Sequence, residues 1–122
     1  MRKFLVGGNW KQNGTLKFAN DFSANTLKKI TFNPQKVEVV VAPTALHLLT
    51  AKNALSGSNI QVSAQNISQF KNGAYTGEIS AEMLKDAQIP WVILGHSERR
   101  HVFGESDAVV GDKVKIALDN GL

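Results

Sequence analysis

The chain has 122 residues, enough for one domain and too few for two ordinary ones. Apolar residues make up 43% and charged residues 20%, a globular balance that excludes a disordered chain. The net charge of +4 comes mostly from scattered lysines, with clusters only at Lys28-Lys29 and Arg99-Arg100-His101, which argues against nucleic-acid binding and for a mild field favouring a small anionic substrate.

Phe4-Leu5-Val6 opens an apolar run that reaches about Trp10 and predicts the first strand. Asn13-Gly14 signals a turn, and Thr15 predicts the cap of a helix whose stripe is Leu16, Ala19, Phe22, Leu27 and Ile30. Asn33-Pro34 ends that helix. Val37 to Ala42, apolar except for Glu38, predicts the second strand. Pro43-Thr44 closes it, and Leu46, Leu49, Ala51 and Leu55 predict a second helix ended by Ser56-Gly57, with His47 on its solvent face. Ile60 to Ala64 predicts a weaker third strand, followed by a polar loop from Gln65 to Gly77. Ser80 predicts the cap of a short helix with Glu82 in its first turn. Ile89-Pro90 ends it and leads into a fourth strand, Trp91 to Leu94, whose lack of polar alternation predicts burial on both faces. Ser106-Asp107 starts the last helix, with Val110, Val114, Ala117 and Leu118 on one face and Asn120-Gly121 at its end.

Four consecutive βα units in this order predict an α/β fold with a parallel sheet and right-handed crossovers. They are half of an eight-stranded (β/α)₈ barrel, or else a small open doubly wound sheet. An opened barrel would expose two unpaired edges of apolar strands, as expected of a fragment or of a chain that buries those edges against a second copy.

In a parallel sheet the loops after the strands share one rim, and that rim carries the candidate chemistry. The loop after the first strand supplies Asn9, an amide, and Lys11, a fixed positive charge; the loop after the fourth supplies His96, Ser97 and Glu98. A lysine and an imidazole converging on one space suit a reaction that builds negative charge on a carbonyl oxygen, such as proton abstraction to give an enediolate. Taken singly, these residues have ordinary readings: a lysine past a strand is most often solvated, and a histidine at a strand end is most often structural. Glu98 and Arg99 read as surface charges or an ion pair, and His101 as solvated. No carboxylate is placed as a convincing base.

Gly8-Asn9-Trp10-Lys11, Gln65-Asn66, Gly73 to Ser80, Ile93 to Arg100 and Glu105-Ser106-Asp107 together resemble the triosephosphate isomerase family, in the expected order and over essentially the whole chain. The resemblance implies that residues 1–122 are the N-terminal half of a TIM (β/α)₈ barrel, a single incomplete domain. It implies an enzyme of glycolysis and gluconeogenesis that interconverts dihydroxyacetone phosphate and glyceraldehyde 3-phosphate with no cofactor and no metal. Lys11 would be the electrostatic residue facing substrate, Asn9 would help to place it, and His96 would be the electrophile. Glu98 resembles the carboxylate near Lys11, and Ser97 the residue close to the catalytic base. Gln65, Asn66, Tyr75, Thr76 and Gly77 fall in the loop that protrudes into the partner of the family's homodimer, with Thr76 at the tip.

Two departures qualify the match. The family's catalytic glutamate, lid and glycine-rich phosphate loops belong to the second half of the barrel, so this chain carries the electrophilic half alone. Gln12 stands where many members have cysteine. With no cysteine, disulfides and thiolate metal sites are excluded, which fits a cytoplasmic protein. Apolar runs fall short of the ~18 residues of a membrane span, and Gly7-Gly8-Asn9 interrupts the first run too early for a secretory signal. The alternative reading is a self-associating α/β half-barrel with no catalysis of its own.

Overall fold

Phe4–Asn9 forms strand β1 and pairs in parallel along its whole length with β2, Val37–Ala42, from Phe4 opposite Val37 to Asn9 opposite Ala42. β2 pairs in parallel with β3, Ile60–Ala64, setting Val39 opposite Ile60 and Val41 opposite Val62. The computed structural model describes residues 1–122, in two units, Met1–Gln65 and Asn66–Leu122. No helix is long and apolar enough to cross a membrane.

In the first unit, helix α1 spans Leu16–Asn25, and the Thr15 hydroxyl accepts from the Phe18 N–H at 3.0 Å, as the sequence predicts. The helix stops earlier than the apolar stripe suggests. A 3₁₀ turn, Leu27–Lys29, follows, so Leu27 is buried while Ile30 is exposed. Helix α2 spans Leu48–Ala54 and is preceded by another 3₁₀ turn, Ala45–His47. That turn advances about 120° per residue rather than 100°, which shifts the phase of the apolar stripe. The buried side chains are therefore Leu48, Ala51 and Leu55, whereas Leu46 is 84% exposed. His47 is corrected by the same shift: it is 8% exposed and belongs to the interior, with its Nδ1 unpaired.

The core of this unit gathers Ala19, Leu27, Val40, Val41, Leu48, Leu55, Ile60 and Val62. Each large aliphatic buried there contributes roughly 1.5–3 kcal/mol. Burial increases across the strands: every residue of β1 is exposed, the C-terminal half of β2 is buried, and β3 is buried except at Gln61.

In the second unit, α3 spans Ala81–Asp86, with the Ser80 hydroxyl accepting from the Met83 N–H at 3.1 Å. β4 is only Trp91–Val92 and is half-buried, shorter and less enclosed than the apolar run predicts. A short helix that periodicity does not assign, though the family resemblance allows a helix start at Ser97-Glu98, spans Ser97–His101 as α4. α5 spans Asp107–Asp119 behind a Ser106 cap. Its buried side chains are Val110, Lys113, Ile116 and Ala117, while Val114 and Leu118 of the predicted stripe are exposed. Lys113 takes an interior place because Asn66 and Glu105 accept hydrogen bonds from its ammonium, which periodicity cannot register.

Candidate active site

Asn9 is the last residue of β1, and the chain turns sharply just beyond it. Lys11 has φ of 56°, a left-handed backbone that costs a non-glycine residue about 1–3 kcal/mol and persists only where its surroundings enforce it. Both of its backbone polar groups are met by side chains. The Lys11 N–H donates to Asn9 Oδ1 at 2.9 Å, and its carbonyl accepts from Gln65 Nε2 at 2.9 Å. Gln65 Nε2 also donates to the Ala42 carbonyl at 2.8 Å, which accepts in addition from the Trp10 N–H at 3.0 Å. Asn13 Nδ2 closes the turn on the Trp10 carbonyl at 3.0 Å. The Trp10 ring packs edge-on against Phe18 and Phe22 of α1, with centroids 5.4 and 6.0 Å away.

The second group of candidates follows β4. Gly95 has φ of 65°, and a Cβ placed there would lie 2.8 Å from Val110 Cγ1. His96 is the N-cap of α4, and its Nδ1 accepts from the Glu98 N–H at 3.0 Å. An imidazole nitrogen that accepts carries no proton, so the neutral ring bears its hydrogen on Nε2. Glu98 Oε2 lies 3.6 Å from the same Nδ1, a pairing that would require a proton where the backbone N–H already points. Ser97 is the exposed first residue of α4. Arg100 steadies the turn from behind, donating from Nε to the Gly95 carbonyl at 3.0 Å and pairing with Asp107 at 2.5 Å.

The polar loop runs on from β3 with no regular structure until Ser80. Its base is pinched by the Ser68 N–H donating to the Ile79 carbonyl at 2.8 Å, with Ile67 and Ser68 buried. Residues 71–78 are exposed, which places Tyr75, Thr76 and Gly77 on the outer part of the loop. Tyr75 stacks on Phe70 with centroids 4.3 Å apart, and the Glu78 N–H donates to the Tyr75 carbonyl at 3.0 Å. Gln65 and Asn66 do not share this exposure; both are half-buried at the loop's start.

A buried ionic cluster escaped the sequence reading. Lys113, 5% exposed, donates from Nζ to Asn66 Oδ1 and to Glu105 Oε1, both at 2.9 Å. Glu105 Oε2 receives Arg99 Nε at 2.5 Å, and the Arg99 guanidinium lies 4.4 Å from the Phe103 ring centroid. Burial pushes the Glu105 carboxyl up, but hydrogen bonds and charge from Lys113 and Arg99 outweigh it and hold it below the usual carboxylate value. Glu105 was legible only through the Glu105-Ser106-Asp107 resemblance, and Lys113 left no signal at all.

The structure thus brings Asn9, Lys11 and Gln65 together in the first unit and His96 with Glu98 in the second, and ties Asn66 to Lys113. A family model described as triosephosphate isomerase matches residues 4–122. The triosephosphate isomerase of Neurospora crassa is 51% identical over 121 residues, covering 99% of this chain and 48% of that protein. That of Taenia solium is 48% identical over 121 residues, 99% of this chain and 47% of its own length. The cytosolic triosephosphate isomerase of Oryza sativa subsp. japonica is 51% identical over 121 residues, again 99% of this chain and 47% of its own length. The chain spans about half the length of these curated relatives, and its four βα units are those of half a TIM barrel. With that match and the strand-end residues it takes in, the chain belongs to the triosephosphate isomerase family.

Proposed function

We propose that this chain supplies the electrophilic half of a triosephosphate isomerase site, with residues 1–122 forming a single incomplete domain whose complete form is a cytoplasmic homodimer. The substrate is a triose phosphate. A base removes a proton from the carbon beside the carbonyl, the electron pair forms the C=C bond of an enediolate, and negative charge moves to the carbonyl oxygen. The hydroxyl proton of the enediolate passes to the oxygen that gained charge, the second oxygen becomes the new carbonyl, and return of the abstracted proton to the neighbouring carbon yields the isomer; because the overall oxidation level does not change, no redox cofactor enters. His96 donates from Nε2 to the oxygen that gains charge. Lys11 opposes that charge and the phosphate, Asn9 sets the turn carrying Lys11, and Ser97 and Glu98 support the two. By the family resemblance, the glutamate base belongs to the half of the barrel that these residues do not span.

The observation that carries this reading is the hydrogen bond from the Glu98 N–H to His96 Nδ1, 3.0 Å long. It commits one nitrogen as acceptor and leaves the other as donor, the tautomer an electrophile requires. The family is itself the standard case of a neutral imidazole in this role beside a helix N-terminus. A coupled isomerase assay tests the proposal. The 122-residue protein alone is expected to show little turnover, and mixing it with a polypeptide that supplies the second half of the barrel is expected to restore it. Turnover by the isolated chain near that of a full-length relative would overturn the division of labour.

A second reading, a self-associating half-barrel without catalysis, is favoured by the exposure of β1 along its whole length. Sedimentation distinguishes the two. Concentration-dependent dimers with no gain of activity on mixing support self-association, whereas a well-folded monomer counts against it.

A further inference from the structure

We propose that Gln65 is a positioning residue for Lys11, an inference that rests on the reading of Lys11 as the electrostatic residue of the site. The family resemblance places Gln65 with the partner-facing loop, yet its side chain is committed to its own chain. Its amide nitrogen has two hydrogens, and they go to two backbone carbonyls: that of Lys11 at 2.9 Å and that of Ala42 at 2.8 Å. Only the nitrogen end of the amide can face two carbonyl oxygens, so the orientation of the side chain is fixed by its partners.

The geometry explains why Lys11 holds a left-handed backbone without being glycine. Its φ of 56° turns the peptide away from the extended path of β1, and both of its backbone polar groups then need partners outside the strand ladder. Asn9 Oδ1 supplies the acceptor from within the turn, two residues away. Gln65 supplies the donor from 54 residues away, and by gripping Ala42 with its second hydrogen it ties the turn to the end of the neighbouring strand. Ala42 stands opposite Asn9 in the β1–β2 register, so the grip acts at the level where the strand hands over to the turn. Without it, the Lys11 carbonyl would be free to swing, the turn would relax toward ordinary φ values, and the ammonium would be carried with it.

The test uses Gln65→Leu, which keeps bulk and removes both donors, and Gln65→Asn, which keeps an amide too short to span both carbonyls. Amide hydrogen exchange on the 122-residue chain is expected to show the Lys11 N–H exchanging about tenfold faster in both variants, because relaxation of the turn opens its own bond to Asn9 Oδ1. The amides of β2 are expected to be unchanged. In the mixture with second-half polypeptide, kcat is expected to fall about tenfold with a smaller change in KM, and no further when the same change is made in a Lys11→Ala background. Unchanged exchange at Lys11, or an equal kcat loss in both backgrounds, overturns the proposal. Should Lys11→Ala alone leave turnover intact, the electrostatic role of Lys11 falls and the positioning role falls with it, while exchange still reports the hydrogen bonds. If Gln65→Leu does not fold, Gln65→Asn carries the same readings.

Discussion

At the scale of single residues, the site depends on backbone conformations that side chains enforce. His96 Nδ1 accepts the Glu98 N–H, and the proposed role as electrophile uses the proton that this leaves on Nε2. Replacing His96 with alanine is expected to lower kcat of the reconstituted enzyme by about 10²–10³-fold, the usual cost of losing a donor aimed at developing charge. A mixed-polypeptide assay with purified components measures it. Gly95 sets the backbone direction of the turn that leads into His96. At φ of 65°, and with Val110 Cγ1 2.8 Å from where a Cβ would stand, Gly95→Ala must move either the turn or α5. The expected cost is roughly 1–3 kcal/mol, read from urea unfolding, together with a lower kcat on reconstitution.

At the scale of elements, what was legible in the sequence was what local chemistry decides. Thr15, Ser80 and Ser106 each announce a helix, and each hydroxyl accepts from the N–H three residues on, at 3.0, 3.1 and 3.3 Å. β2 and β3 were legible because their apolar residues are contiguous. The faces of the helices were less so. Periodicity assumes 100° per residue, and the 3₁₀ turn at Ala45–His47 breaks that assumption, so Leu46 and His47 exchange places relative to expectation. α5 fails for another reason: Lys113 is interior only because Asn66, 47 residues away, and Glu105 receive its protons. The place of Asn9 and Lys11 at the end of β1 could be read from the sequence, but the Gln65 hydrogen bonds could not, because a polar residue after a strand looks like ordinary loop. Since α5 carries Lys113, its start matters. Ser106→Ala is expected to destabilise the chain by about 1 kcal/mol, seen as a lower urea midpoint with an unchanged slope.

At the scale of the whole molecule, the acid response follows from Glu105. Its carboxyl is held below the ordinary carboxylate value when folded, by the hydrogen bonds and charge of Lys113 and Arg99, and returns to that value when unfolded. The folded chain therefore binds fewer protons in that window. The contribution is complete above the unfolded value and is lost as pH falls through the lower, folded one. Glu105→Gln is expected to flatten this acid limb and to cost on the order of 3 kcal/mol at neutral pH, because Lys113 would be left buried without its counter-charge. Urea unfolding between pH 3 and 7, compared for the two proteins, checks both statements (the range brackets the usual carboxylate value). A parallel acid limb in the variant would mean that other carboxylates set it.

The exposure of β1 has a colloidal consequence. Phe4, Leu5 and Val6 stand in water on a strand that pairs with β2, and Phe4 is 74% exposed. Such a surface is sticky at contact, and what keeps two copies apart before contact is their shared net charge of +4. Salt shortens the reach of that repulsion to about 10 Å at 0.1 M while leaving the apolar attraction in place. The protein is therefore expected to keep best in dilute buffer and to cloud as ionic strength rises, the reverse of salting in. Light scattering along a salt series would show it, and Val6→Lys would move the onset to higher salt.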